Sequence, residues 1–143
     1  MIDISEKQMT KRVARAEGKI VFSPAAFKVF IKRGSPKGNV LETAKIAGIM
    51  AAKNTPALIP LCHPLTLEKV AVSFELLKSK NTIKVMSEVT CTGKTGVEME
   101  ALAAVAAACL TIYDMMKFTG QDLTISDIRL MHKSGGRSGI YFR

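Results

Sequence analysis

Apolar and polar positions first alternate in "ARAEGKIVFS", the signature of a β-strand with one buried face. The next stretch, "SPAAFKVFIKRG", reads as a helix: Ser23 is placed to cap it, Pro24 suits its first position and Gly34 ends it. "GSPKGN" is a loop. From Val40 to Asn54, Leu41, Ala44, Ile49 and Ala52 fall near helical spacing until Pro56 stops the run. Further on, "LEKVAVSFELL" puts Val70, Val72, Phe74 and Leu76 on one side, and "TIKVMSEVTCTG" repeats the period through Ile83, Val85, Ser87 and Val89. The polar "KSKN" between them makes this pair an antiparallel hairpin. "GVEMEALAAVAAACLTIYDMMKFTG" is the strongest helix signal, rich in Ala and closed by Gly120. A last strand, "LTISDIRLMH", turns Leu123, Ile125, Ile128 and Leu130 toward the core, with a slip near Ser126 that marks a bulge.

The order β, α, α, β, β, α, β predicts an α+β fold, a ferredoxin-like antiparallel sheet with helices packed on one face and one helix added. The long helix carries Leu102, Val105, Cys109, Ile112 and Met116 on one stripe, and Ala103, Ala104, Ala107 and Ala108 off it. That second, small-residue face suits either plain helix propensity or the close approach of another helix in a homo-oligomer.

Composition narrows the class. A chain of 143 residues with 48% hydrophobic and 23% charged residues is expected to form one globular domain, residues 1–143, with its own core. Its 21 Lys and Arg against 12 Asp and Glu give a net charge of +9, which points to an anionic partner: nucleic acid, anionic lipid or a phosphorylated small molecule. The opening "MIDISEKQMTKR" lacks the organisation of a signal peptide, and Val97 to Met116 includes Glu98, Glu100 and Asp114, charges that disfavour a bilayer span. Cys62, Cys91 and Cys109, odd in number and scattered, suit a reducing compartment, so a cytoplasmic protein with no membrane contact is expected.

Four clusters offer chemistry. In "LIPLCHPLTL", Cys62 and His63 stand between Pro60 and Pro64. They lack metal-ligand spacing, and adjacent side chains diverge in extended backbone, which disfavours a Cys–His nucleophile; what remains is a structural turn or a proline-braced loop presenting an imidazole to a ligand. Asp114 and Lys117 are i, i+3 neighbours, either a surface ion pair or a proton-exchanging carboxylate–ammonium pair. "TGKTGVEME" has Gly93, Lys94, Thr95 and Gly96 ahead of a helix but fails the Walker A spacing, leaving an anion-binding helix start or an ordinary capped turn. Lys37, Lys53 and the tail "HKSGGRSG", with Lys133 and Arg137, form a basic set suited to phosphate or to a disordered tail. Glu100 and Asp114 share a helical face, yet the fourteen residue steps from one to the other span about 21 Å. A site that uses both is most simply built between two subunits.

Together "MIDISEKQMTKRVARAEG", "KGNVLETAKIAGIMAAKNTPALIPLCHPL", "TGKTGVEMEALAAV", "LTIYDMMKFTG" and "HKSGGRSG" cover nearly the whole chain and resemble the molybdenum-cofactor biosynthesis protein C family, the cyclic pyranopterin monophosphate synthases. The resemblance implies a ferredoxin-like α+β domain and a hexamer, a trimer of dimers with active sites at the dimer interfaces. It implies conversion of 3',8-cyclo-7,8-dihydro-GTP to cyclic pyranopterin monophosphate with release of pyrophosphate. Residue by residue, Asp114 matches the catalytic acid/base and Lys117 the catalytic lysine. Leu61, Cys62 and His63 match the substrate-binding loop; Met99 and Glu100 match a second binding segment that Glu98 adjoins. Lys37 and Lys133 match lysines that face the triphosphate or the reacting sugar.

Two positions depart from the family's usual pattern. Asn39 stands where "KGD" is common, which removes a carboxylate. Arg137 stands where "GGKSG" is common, which keeps the charge and adds a bidentate fork. The implied reaction changes no oxidation state, so no cofactor and no protein-bound metal are expected, although the triphosphate can carry Mg2+. An RNA-binding ferredoxin-like module would account for the charge, but it needs aromatics on the sheet for base stacking, and these strands offer Phe74 alone; no nucleic-acid partner is expected. An inactive regulatory subunit would have no use for an intact Asp114 and Lys117.

Overall fold

A computed structural model describes all 143 residues. Strand β1 (Thr10–Val21) is followed by helices α1 (Pro24–Arg33), α2 (Val40–Lys53) and the single turn α3 (Thr55–Leu58). Strands β2 (Lys69–Leu77) and β3 (Thr82–Gly93), the long helix α4 (Glu98–Met116), and strands β4 (Thr124–Ser134) and β5 (Tyr141–Phe142) complete the chain. The five strands form one antiparallel sheet in the order β2-β3-β1-β4-β5. This is the α+β, ferredoxin-like arrangement the pattern predicts.

The predicted caps are in place: Ser23 Oγ accepts from Ala26 N–H at 3.3 Å, and Pro24 opens α1. Beyond the end of α2, Pro56 also starts a turn of its own, α3, since a proline lacks only an N–H that a first helical turn leaves unpaired. The β2–β3 hairpin closes through a 3-10 turn at Lys78–Lys80, with Asn81 in the left-handed region.

Two strand boundaries differ from expectation. β1 begins earlier, at Thr10, where it pairs with Gly93 of β3; Arg12 occupies an inward position ahead of Ala14, Ala16 and Ile20, and a charged residue there hides the apolar period. β4 runs on to Ser134 to pair with β1 and β5, the latter too short to carry any period. The register of β4 against β1 slips between Glu17 and Lys19, so that Gly18 faces two residues, and Asp127 adopts a φ of +54°. The bulge near Ser126 is therefore present. It has a consequence that alternation missed: Ile125 and Leu130 pack on the core, whereas Ile128 stays 39% exposed.

Helix α4 lies on the sheet with Val105, Cys109, Ile112 and Met116 fully buried, and α2 packs beside it. By length and composition α4 and its following turn are apolar enough to cross a bilayer, but this apolar face is the protein's own core. Ala104 and Ala108 meet α2 at Gly48, where a Cβ would come within 2.8 Å of the Ala104 carbonyl. Half of the small-residue face thus serves contact between helices of one chain. The sheet's opposite face carries ion pairs: Glu88 between Arg15 and Lys69 at 2.6 Å each, and buried Glu17 between Lys84 at 2.9 Å and Arg129 at 2.7 Å.

Candidate active site

Apart from Lys53, the predicted residues fall into two groups at opposite ends of α4. At its C-terminal end Asp114 Oδ1 meets Lys117 Nζ at 2.8 Å and Oδ2 meets Lys37 Nζ at 2.6 Å. The carboxylate is clamped between two ammonium groups, all three exposed. Hydrogen bonds from Lys117 first, then Lys37, lower the Asp114 pKa to about 2, and Asp114 in turn raises that of Lys117. The resting cluster therefore holds an ionised carboxylate beside a charged ammonium, one able to take a proton and the other able to give one.

Lys37 belongs to this cluster and not with the other basic residues. Lys53 lines a separate shallow cleft beside Leu65 to Val70, so the basic set of the sequence is divided among three places.

The N-terminal end of α4 borders two adjoining clefts. One, of about 620 Å³, is lined by Lys133, Arg137 and Glu98 together with Lys7, Thr10, Arg12 and Lys94. The other, of about 390 Å³, is lined by Leu61, Cys62, His63, Glu98, Met99 and Glu100. Lys7, Thr95, Gly96 and Glu98 line both, so the two are continuous. Val97 makes no side-chain cap at the start of α4, and Glu98 and Glu100 stand in its first turn, where the helix dipole favours acids.

Burial raises the Glu100 pKa and keeps the Cys62 thiol protonated by raising its own, with Glu100 adding to the effect. A protonated thiol is a poor nucleophile. No three His, Cys, Asp or Glu side chains gather in a way that could hold a metal ion. His63 Nε2 donates to the Ile2 carbonyl at 2.8 Å, and Lys94 Nζ donates to the Ser5 carbonyl, so the N-terminal segment runs across the cleft mouth. Lys133 pairs with Glu98 at 3.1 Å.

Arg12 is the chief residue that the sequence reading passed over. Nearly buried, it donates to the carbonyls of Gly93 at 3.3 Å and Lys94 at 3.4 Å. Gly135, at a φ of +93°, passes so close to the Lys11 carbonyl that a Cβ there would overlap backbone, and Gly136, at a φ of +79°, packs against the Arg12 guanidinium. The Thr10 hydroxyl in the same cleft is buried without a hydrogen-bond partner. The available signal was a basic residue at an inward register of an alternating strand, where charge needs a reason.

The MoaC family profile matches residues 1–136. The chain belongs to the MoaC family. It is 51% identical over 141 residues to a cyclic pyranopterin monophosphate synthase of Parvibaculum lavamentivorans, an alignment that covers 99% of this chain and 88% of that protein. It is 53% identical to the protein of that name from Methylobacterium nodulans, with 99% and 88% covered, and 49% identical to that from Chloroflexus aggregans, with 100% and 87% covered.

The departure of this MoaC family member at Asn39 has a local explanation. Asn39 caps α2, its Oδ1 accepting from Glu42 N–H at 3.1 Å, a task that Asn and Asp perform about equally. Arg137 lines the larger cleft and preserves its positive charge.

Proposed function

We propose that this chain is a cyclic pyranopterin monophosphate synthase of molybdenum cofactor biosynthesis, a lyase that converts 3',8-cyclo-7,8-dihydro-GTP to cyclic pyranopterin monophosphate and releases pyrophosphate. The observation that carries the reading is the Asp114 carboxylate clamped by Lys117 and Lys37, in a member of a family whose relatives bear that name.

The reaction opens the purine-derived ring system, rebuilds it as a pterin, and lets a ribose-derived hydroxyl attack the inner phosphorus. That last step forms an O–P bond and breaks the bond to the departing pyrophosphate. Asp114 accepts protons and Lys117 donates them, and their titration belongs to the pair. As the substrate draws the two lysines toward its own oxygens, Asp114 loses their stabilisation and becomes a stronger base.

Lys37 works with this pair. Lys133 and Arg137, with Lys7, Arg12 and Lys94 beside them, hold the phosphate chain and stabilise the leaving pyrophosphate. Glu98 competes for Lys133, so phosphate binding must displace that ion pair. His63, released from the Ile2 carbonyl, reaches the substrate from the second cleft together with Leu61, Met99 and Glu100, and Cys62 packs behind it. No resident metal or cofactor is required, and Mg2+ enters only on the triphosphate.

The two halves of the site combine between copies of the chain. α4 bears an outward stripe of Ala103, Ala107 and Leu110, the last 61% exposed, beside Ile46 at 58% and Met50 at 57% on α2. A two-fold axis near the middle of α4 sets two such helices antiparallel and brings the Asp114 end of one beside the Glu100 end of the other. We place the enzyme in the cytoplasm as a trimer of such dimers, each chain one domain.

Incubation with 3',8-cyclo-7,8-dihydro-GTP, with pyrophosphate and pterin measured, tests the assignment. The parent protein should yield both products, and Asp114→Asn should fold normally and lose about 1,000-fold in turnover. Normal product formation by Asp114→Asn would contradict it.

A further inference from the structure

A helix ends with four carbonyls that have no partner in the regular ladder. In α4 the Tyr113 carbonyl accepts from Lys117 N–H in a closing turn, and that of Met116 accepts from Thr119 Oγ1 at 2.8 Å. The two between are served from far away in sequence. The Asp114 carbonyl accepts from Lys37 Nζ at 3.2 Å, and the Met115 carbonyl accepts from Ser35 Oγ at 2.6 Å across 80 residues.

Ser35 does a second thing. Its Oγ accepts from the backbone N–H of Lys37 at 3.2 Å, so one oxygen joins the helix end to the lysine's own main chain. The turn itself is tight: Gly38 N–H donates to the Ser35 carbonyl at 3.1 Å, Pro36 fixes its own φ, and Gly38 takes a φ of +114°. α1 ends just before this turn and α2 begins just after it, with Asn39 as its cap. Apart from Lys37 itself, Ser35 supplies the turn's hydrogen bond to α4.

We propose that Ser35 is a positioning residue, whose hydroxyl pins the turn to the last turn of α4 and so fixes Lys37 Nζ against the Asp114 carboxylate. The inference rests on the reading that Asp114 lies at the reacting centre. Lysine has a long stem with four rotatable bonds, so a nitrogen fixed to within an ångström needs its base held. A serine that only capped the helix would contribute to stability and leave the ionisation of Asp114 alone. A serine that positions Lys37 controls how much positive charge Asp114 feels.

The test follows the Asp114 carboxyl by 13C NMR between about pH 3 and 5, where an ordinary aspartate titrates, in the full-length parent and in Ser35→Ala, Ser35→Thr and Lys37→Ala. In the parent the carboxyl should stay ionised through this range. Ser35→Ala should shift its titration upward in the same direction as Lys37→Ala, lower kcat by about tenfold and leave KM within about twofold. Ser35→Thr, which keeps the hydroxyl, should restore both. If Ser35→Ala does not fold, Ser35→Cys, a weaker hydrogen-bonding group of similar shape, should give the same upward shift at smaller size. An unmoved Asp114 titration in a folded variant overturns the inference whatever the turnover. A moved titration with unchanged turnover contradicts instead the placement of Asp114 at the reacting centre.

Discussion

At the scale of single residues, His63 and Cys62 differ in what their surroundings allow. His63 faces a cleft and has one ring nitrogen engaged by the Ile2 carbonyl, whereas burial and Glu100 keep the Cys62 thiol neutral. His63→Ala should therefore lower kcat/KM by about 100-fold and Cys62→Ser by about threefold or less. A larger loss from the cysteine, in steady-state rates of pyrophosphate release, would reverse these roles. Asp114 makes a prediction in pH. Its pKa is lowered to about 2 against an ordinary 3.8, so the base form persists in acid and is lost only as pH falls through that low value. Lys37→Ala removes the second of the two lowering partners and should move the acid limb of the residual activity to higher pH. A limb that stays in place would show that Lys37 does not act on Asp114. Asp114 and Lys117 were legible as a pair because i, i+3 spacing on a helix puts them together. Lys37 was not, since its place depends on a turn that crosses to α4 from 77 residues away.

At the scale of elements, α2 and α4 are held by small residues facing each other. Gly48→Val would push a branched side chain toward the Ala104 carbonyl, a backbone atom that cannot swing aside, and should cost about 2–3 kcal/mol in chemical denaturation. An unchanged midpoint would mean the helices separate easily. The Ala-rich face on α4 was visible in the sequence, but its partner was not: Ala104 and Ala108 meet α2 within the chain, and Ala103 and Ala107 lie outside that contact. Period alone shows that a face is small and cannot say what covers it. The hairpin and the main helices were legible for the opposite reason, since each declares itself through its own spacing and caps. β5, with two residues, has no spacing to show, and Arg12 concealed the start of β1 by putting charge where the pattern calls for an apolar side chain.

At the scale of the whole molecule, the decisive feature is that one helix separates the two halves of the site. The Glu100 end borders the two adjoining clefts, and the Asp114 end carries the carboxylate clamped by Lys117 and Lys37. Helix rise makes that separation about 21 Å, too far for one small substrate to bridge within a chain. The sequence disclosed this distance by simple counting, and the fold keeps it, because α4 runs unbroken from Glu98 to Met116. Mixing inactive subunits tests the claim directly. Glu100→Gln protein and Asp114→Asn protein, each inactive alone, are combined, subunit exchange is confirmed by native mass spectrometry, and pyrophosphate release is measured with the cyclic GTP-derived substrate. Sites shared between chains predict recovered activity, since a hybrid pairs an intact Glu100 end with an intact Asp114 end. No recovery in confirmed hybrids would place each site within a single chain and contradict the account.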